Sequence, residues 1–332
     1  MVLVTISCIT YNHKPYIRRC LDGFVMQKTN FPFKAIVHDD ASTDGTSDIV
    51  REYAEKYPEI IVPILEKENV YSKKDGTLDR IMAQACIGKY VAICEGDDYW
   101  TDPYKLQKQV DYMEAHPECA LCYGNFYKVR NEDYEHPAEN TPLYRKQNRE
   151  LPEGKGQLFY SILKGRVDAQ TMTMMYRRSS FEAIAPNIHT FMMGDIPLLL
   201  DLSQIGDLHY IDEYLGVYNM HEGSACRNPE TRLRFTLSGR EMRVYYCEKY
   251  GYKVPFYLKW DYNRSYNRML ANDGDVKPAA IYDLFFLNNT LYKKHVEWLK
   301  SSEMYRKVYL NLIDPAISIF ESFIFRAKRI FT

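Results

Sequence analysis

No stretch of this 332-residue sequence approaches the roughly 18 consecutive apolar residues that a membrane-spanning helix needs. Charge of one sign is also lacking. Its 43 basic and 44 acidic residues leave a net charge of −1, so no global basic field recruits nucleic acid or an anionic membrane. The segment after the first apolar run, "TYNHKPYI", holds no glycine and a single lysine. It therefore supplies neither a P-loop nor the glycine-rich basic loop expected of a nucleotidyltransferase. The opening "MVLVTISCITYNHK" has no basic n-region and no small-residue cleavage site, so it reads as a first strand and a cytoplasmic protein is expected. Of eight cysteines, Cys119 and Cys122 form the one CxxC, which excludes a paired zinc-ribbon pattern. The motif sits in a predicted strand, "ECALCYGNFY", where an offset of three points two side chains to opposite faces.

What is present alternates between strand and helix. Apolar runs bounded by turn residues predict strands over 2–9, 33–37, 60–65 and 90–94. Helices are predicted over 15–27, 47–57, 77–86 and 103–116, the last with Asp102 as cap and Pro103 at its first position. Such repeats imply right-handed crossovers and an α/β fold with a mostly parallel sheet flanked by helices. Ligands of such sheets bind outside the carboxyl ends of the strands. Three polar clusters fall there: Thr10-Tyr11-Asn12, Asp39-Asp40 and Glu95-Gly96-Asp97-Asp98. Beyond Asn125 the pattern loosens. A polar loop is expected over 131–155, a strand over 171–176, a helix from about 195, strands around 208–219, and helices from about 229 onward. The tail, "AISIFESFIFRAKRIF", sets Arg326, Lys328 and Arg329 beside phenylalanines. It suits either packing on the protein or peripheral contact with the inner face of a membrane.

Three carboxylates within "EGDD" repel one another unless a cation joins them. Hard cations such as Mg²⁺ or Mn²⁺ prefer carboxylate oxygens and commonly bind through one or two of them plus a substrate's phosphates. Asp195 is an acid at a predicted helix start, followed by Ile196, Leu198, Leu199 and Leu200. A first-turn acid is favoured by the helix dipole, and a candidate base is the second reading of the same residue.

Taken together, "VTISCITYNHKPYIRRCLDGFVMQ", "AIVHDDASTDGT" and "KYVAICEGDDYWTDPYKLQKQVDYME" resemble the family 2 glycosyltransferases, inverting enzymes of the GT-A, Rossmann-like fold that use nucleotide-sugar donors. The likeness is dense over about residues 3–125 and sparse to about 225. It implies a glycosyltransferase domain over 1–225, with a nucleotide half (1–98) and an acceptor half (99–225), and a helical extension over 226–332. It implies that Thr10, Tyr11 and Asn12 surround the nucleotide, with Tyr11 stacked on the base. Asp40 would accept from the base, Asp39 would support its loop, and Arg80 would touch the donor. Glu95 and Asp97 stand in the DxD motif, Asp97 near the ribose and metal, with Asp98 as the carboxylate on Mn²⁺ or Mg²⁺. The family's acidic pair at a helix start falls on Gly194 and Asp195, leaving Asp195 as the base. "YNMHEGSAC" brings His221 to the metal or diphosphate, with Ser224 nearby and Arg227 compensating for Asn219 in a usually basic position.

The resemblance thus implies metal-dependent sugar transfer, with UDP the expected nucleotide, to a glycan or lipid-linked acceptor in surface polysaccharide assembly. Glu95 in place of a commoner aspartate, and glycine at 194, keep a nucleotide-binding homologue without turnover open.

Overall fold

The computed structural model describes residues 2–130, 154–184, 191–221, 231–273 and 289–319. Most of the predicted 131–155 loop, Ser224, Arg227 and the tail with Arg326, Lys328 and Arg329 lie outside the described residues. The chain divides into two compact units, Met1–His189 with Asp195–His221, and Thr190–Gly194 with Glu222–Thr332.

In the first unit, β-branched residues dominate β1 (Val4–Thr10), which buries Val4, Ile6 and Cys8 completely. It pairs in parallel with β2 (Phe33–Asp39) on one side and β4 (Tyr90–Ile93) on the other, and β3 (Ile61–Leu65) lies parallel beyond β2. The crossovers carry α1 (Ile17–Val25), α2 (Thr46–Lys56) and α3 (Thr77–Ala85). Helix α1 turns Ile17, Cys20, Leu21 and Phe24 into the core at helical spacing. Gly45 and Gly76 precede α2 and α3 at φ of 97° and 76°, in the left-handed region that favours glycine.

The sheet continues through β5 (Tyr99–Trp100), β6 (Cys119–Arg130), β7 (Met175–Arg177) and β8 (Asp207–Met220) in the order β3-β2-β1-β4-β7-β6-β8-β5. Helices α4 (Lys105–Ala115), α5 (Phe159–Leu163), α6 (Arg178–Ile184) and α7 (Asp195–Ser203) complete this unit among the described residues. The four pairings β1/β2, β1/β4, β2/β3 and β6/β8 are parallel and three are antiparallel, so the expected mostly parallel sheet holds with a mixed half.

Two local expectations are corrected. Thr171–Thr173 is a 3₁₀ turn, because the Thr173 N–H and hydroxyl both donate to Gln170 O; only Met175–Arg177 is strand. Cys119 and Cys122 do not face apart. A register shift between Cys119 and Leu121 breaks the alternation and brings the two sulfurs to 3.6 Å, both buried and reduced.

The second unit is helical: α8 (Arg232–Lys249), α9 (Phe256–Asp273), α10 (Thr290–Ser301) and α11 (Glu303–Val308), which runs on through a wider turn at Tyr309–Ile313. Its core joins Leu237, Tyr262, Leu270, Leu299 and Tyr309. Buried Asp314 accepts from Arg264 at 2.9 Å and Arg268 at 2.8 Å. Among the described residues no helix is long and apolar enough to cross a membrane.

Candidate active site

Strand register assembles the site. Thr10 pairs with Asp39, and Ser7 pairs with Ile93, so β1 outruns β4 by three residues. The chain after β4 follows it, with Cys94 N–H donating to Ser7 O and Gly96 N–H to Ile9 O. All three polar clusters therefore meet at one edge. Tyr11 is 45% exposed there. Asn12 adopts φ of 55°, and its side chain accepts from Thr43 N–H at 2.8 Å while its own N–H donates to Ser42 Oγ.

The acids after β2 are consumed by the protein. Asp39 accepts from the hydroxyls of Ser42 and Ser47 and from Ser42 N–H. Asp40, 1% exposed, accepts from Val70 N–H at 2.7 Å and Tyr71 N–H at 3.1 Å. It braces the segment after β3, and the base contact expected of it finds both oxygens turned inward. Asp44 was not singled out from the sequence. It accepts from Lys14 N–H, Thr46 N–H and Thr46 Oγ1. Burial pushes its carboxyl up, but those hydrogen bonds outweigh burial and hold it below the usual range.

The acids after β4 are different. Glu95 accepts from Thr171 Oγ1 at 2.6 Å. Burial, with the charges of Asp97 and Asp195 nearby, pushes its carboxyl up to about 7. Asp98, expected on the metal, is 3% exposed and accepts from Asn219 N–H at 2.8 Å. Burial and its neighbours Asp97 and Glu95 push it well above the ordinary range. The carboxylate that meets imidazoles able to bind a metal is Asp97. Its Oδ2 lies 2.9 Å from His221 Nε2 and 4.0 Å from His13 Nε2. Burial raises Asp97, yet the His221 hydrogen bond and the two imidazoles bring it below its usual value. Burial lowers His13, which favours the neutral ring. Ligand atoms of His13, Asp97 and His221 all lie within 4.8 Å of one another.

Gly96 is sterically required, since a Cβ there would overlap Thr10 and reach 3.1 Å from His13 Nδ1. Thr10 Oγ1 and His13 Nδ1 are buried without a hydrogen-bond partner. The donor set of one carboxylate and two imidazoles suits a divalent cation. His13 escaped the sequence reading because a lone histidine in a turn carries no spacing signal; only its place beyond β1 points to the site.

Asp195 opens α7 and is partly exposed, with Gly194 before it facing open space. Its charge is felt at Glu95. Arg80 is exposed on α3 and folds back on Asp75 O and Thr77 Oγ1. Trp100 packs against Phe24 and donates to Met172 O.

The sequence profile of glycosyl transferase family 2 matches residues 5–185. The chain belongs to glycosyl transferase family 2. An uncharacterized Mycobacterium tuberculosis protein is 38% identical over 222 residues, which cover 66% of this chain and 59% of that protein. The match thus spans less than two thirds of the mycobacterial relative. Among solved structures, S. aureus TarS 1–349 in complex with UDP-GlcNAc superposes with a TM-score of 0.55 at 14% identity, covering 95% of this chain and 92% of TarS 1–349. The mannosyltransferase PcManGT from Pyrobaculum calidifontis, in complex with GDP-Man and Mn²⁺, gives 0.50 at 17% identity, covering 92% and 86%. At these identities the likeness establishes the fold, which is the GT-A arrangement that the family implies.

Proposed function

We propose that this family 2 chain is a metal-dependent inverting glycosyltransferase. It moves a sugar from a nucleoside-diphosphate donor to an acceptor hydroxyl. The observation that carries this reading is the meeting of Asp97 and His221 at the edge where Tyr11 is exposed and Asp195 opens a helix. TarS with UDP-GlcNAc and PcManGT with GDP-Man and Mn²⁺ support a nucleotide-sugar donor, with UDP favoured.

Tyr11 offers a ring face to the base, and the Asn12–Thr43 and Asn12–Ser42 bonds fix the turn that presents it. Asp97 and His221 would hold the divalent cation, which when bound neutralises the departing diphosphate. Asp195 takes the acceptor hydroxyl proton as that oxygen attacks the anomeric carbon, the bond from that carbon to the diphosphate oxygen breaks on the opposite face, and configuration inverts. The charge of Asp195 reaches Glu95, where it adds to burial in raising that carboxyl to about 7. The acceptor is a glycan or lipid-linked glycan, and the nucleotide half and acceptor half are those of residues 1–98 and 99–225.

The test is Asp195→Asn assayed against a panel of UDP- and GDP-sugars. The expected result is a fall in kcat of about 10²–10⁴ with nucleotide affinity retained. Unchanged turnover sinks the base assignment. Nucleotide binding without turnover for any donor, in the parent protein, favours the non-catalytic homologue.

A further inference from the structure

We propose that His13 is a direct metal ligand, and that with Asp97 and His221 it forms a two-nitrogen, one-oxygen site that selects a first-row transition ion over Mg²⁺. The inference rests on the donor-site reading above and deepens it.

Both imidazoles aim the same atom, Nε2, at the same oxygen, Asp97 Oδ2. The His221 contact is a hydrogen bond at 2.9 Å, but the His13 separation of 4.0 Å is too long for one. Two ligand atoms about 2.1 Å from a shared ion stand roughly 3 Å apart when adjacent and about 4 Å when nearly opposite. Both separations fit that span. The ring of His13 is held for this purpose from its other side. Its Nδ1 lies against Gly96, where a Cβ would come to 3.1 Å, and it is buried without a protein partner. A histidine kept for packing or hydrogen bonding would use that nitrogen. The Tyr16 ring lies 5.0 Å from His221, tilted by 38°, and 6.3 Å from His13 edge-on, so both rings share one wall. Asp39 and Asp44 contribute negative potential at His13 from the neighbouring loop.

The donor set carries the selectivity. Mg²⁺ binds oxygen and keeps several waters, whereas imidazole nitrogen favours the later first-row ions in the order Mn²⁺, Fe²⁺, Co²⁺. Replacing one imidazole by a carboxylate turns the site toward Mg²⁺.

The experiment is Mn²⁺ titration of the full chain by electron paramagnetic resonance, with Mg²⁺ as competitor, in parallel with pulsed measurement of nitrogen couplings to the bound ion. Wild type is expected to show two imidazole nitrogens on Mn²⁺ and at least about 100-fold preference over Mg²⁺. His13→Gln should leave one nitrogen and weaken Mn²⁺ by about 10- to 100-fold. His13→Asp should lower the Mn²⁺ preference by at least tenfold while Mg²⁺ affinity holds or rises. One nitrogen or none in wild type overturns the proposal and needs no variant to fold. So does His13→Gln with unchanged couplings and unchanged preference. The donor-site reading is judged separately, by UDP binding to the same samples: UDP bound with a single nitrogen on the ion removes His13 and keeps the donor site, and two nitrogens on the ion with no UDP bound keeps the His13 ligand and removes the donor site.

Discussion

Two aspartate pairs sit side by side at the same sheet edge and do opposite work. At the end of β2, Asp39 and Asp40 give their oxygens to five groups: the hydroxyls of Ser42 and Ser47 and the N–H groups of Ser42, Val70 and Tyr71. After β4, Asp98 accepts one N–H and is raised by burial and by its acidic neighbours, while Asp97 lies against two histidines. The first loop is complete as folded. On the proposed reading, the second is complete only with a cation. Identical dipeptides are thus distinguished by their supply of N–H and O–H donors, a property of the loops that fold onto them.

The largest effect that separates the two loops is expected from Asp97→Asn. Losing the anionic ligand should cost several kcal/mol of transition-state stabilisation, about 10³-fold in kcat/KM, with the melting temperature within a few degrees of wild type. A comparable loss of stability would show Asp97 to be scaffold like Asp40. Next comes Asp40→Ala, which strands two buried N–H groups. Urea unfolding should show about 2–4 kcal/mol of destabilisation, with Mn²⁺ affinity in the folded protein preserved. Gly96→Ala should fall below both, displacing Thr10 and His13 and weakening ion binding about tenfold, at about 1–3 kcal/mol of stability.

The smallest effects have opposite signs. Asp44 is held low, so its contribution is present above its unfolded value and is lost as pH falls through its folded one. Asp44→Asn should therefore cost about 1 kcal/mol at pH 7, and the gap should close below about pH 4. Asp98 is held high, so its carboxyl favours the fold at low pH and loses that contribution as pH rises. In chelator, Asp98→Asn should gain on the order of 1 kcal/mol at pH 8, a gain that vanishes toward pH 4. Equal signs for the two variants would erase the distinction between the loops.

The parallel half was legible in the sequence because its strands are short β-branched runs punctuated by Pro58, Gly76 and Gly88. The shared edge followed from the α/β alternation alone. The family's motifs put Asp97, His221 and Asp195 forward as candidates, and the fold brings Asp97 and His221 into contact. What stayed hidden was decided by long-range contacts. The inward turn of Asp40 depends on Val70 and Tyr71, thirty residues away. That Asp97, and not Asp98, meets a histidine depends on Asn219 and His221, more than a hundred residues on. The approach of Cys119 to Cys122 needs a bulge that leaves no local mark in the sequence. His13 was passed over because its partners arrive from β4 and β8.

The most direct test of the central claim is calorimetric titration of UDP into wild type and Asp97→Asn, each with Mn²⁺ and with chelator. The account predicts that wild type binds UDP with Mn²⁺ at least tenfold more tightly than in chelator, and that Asp97→Asn shows the weak value under both conditions. Equal affinity in all four titrations would contradict it, because the acids after β4 would then hold no cation for a donor.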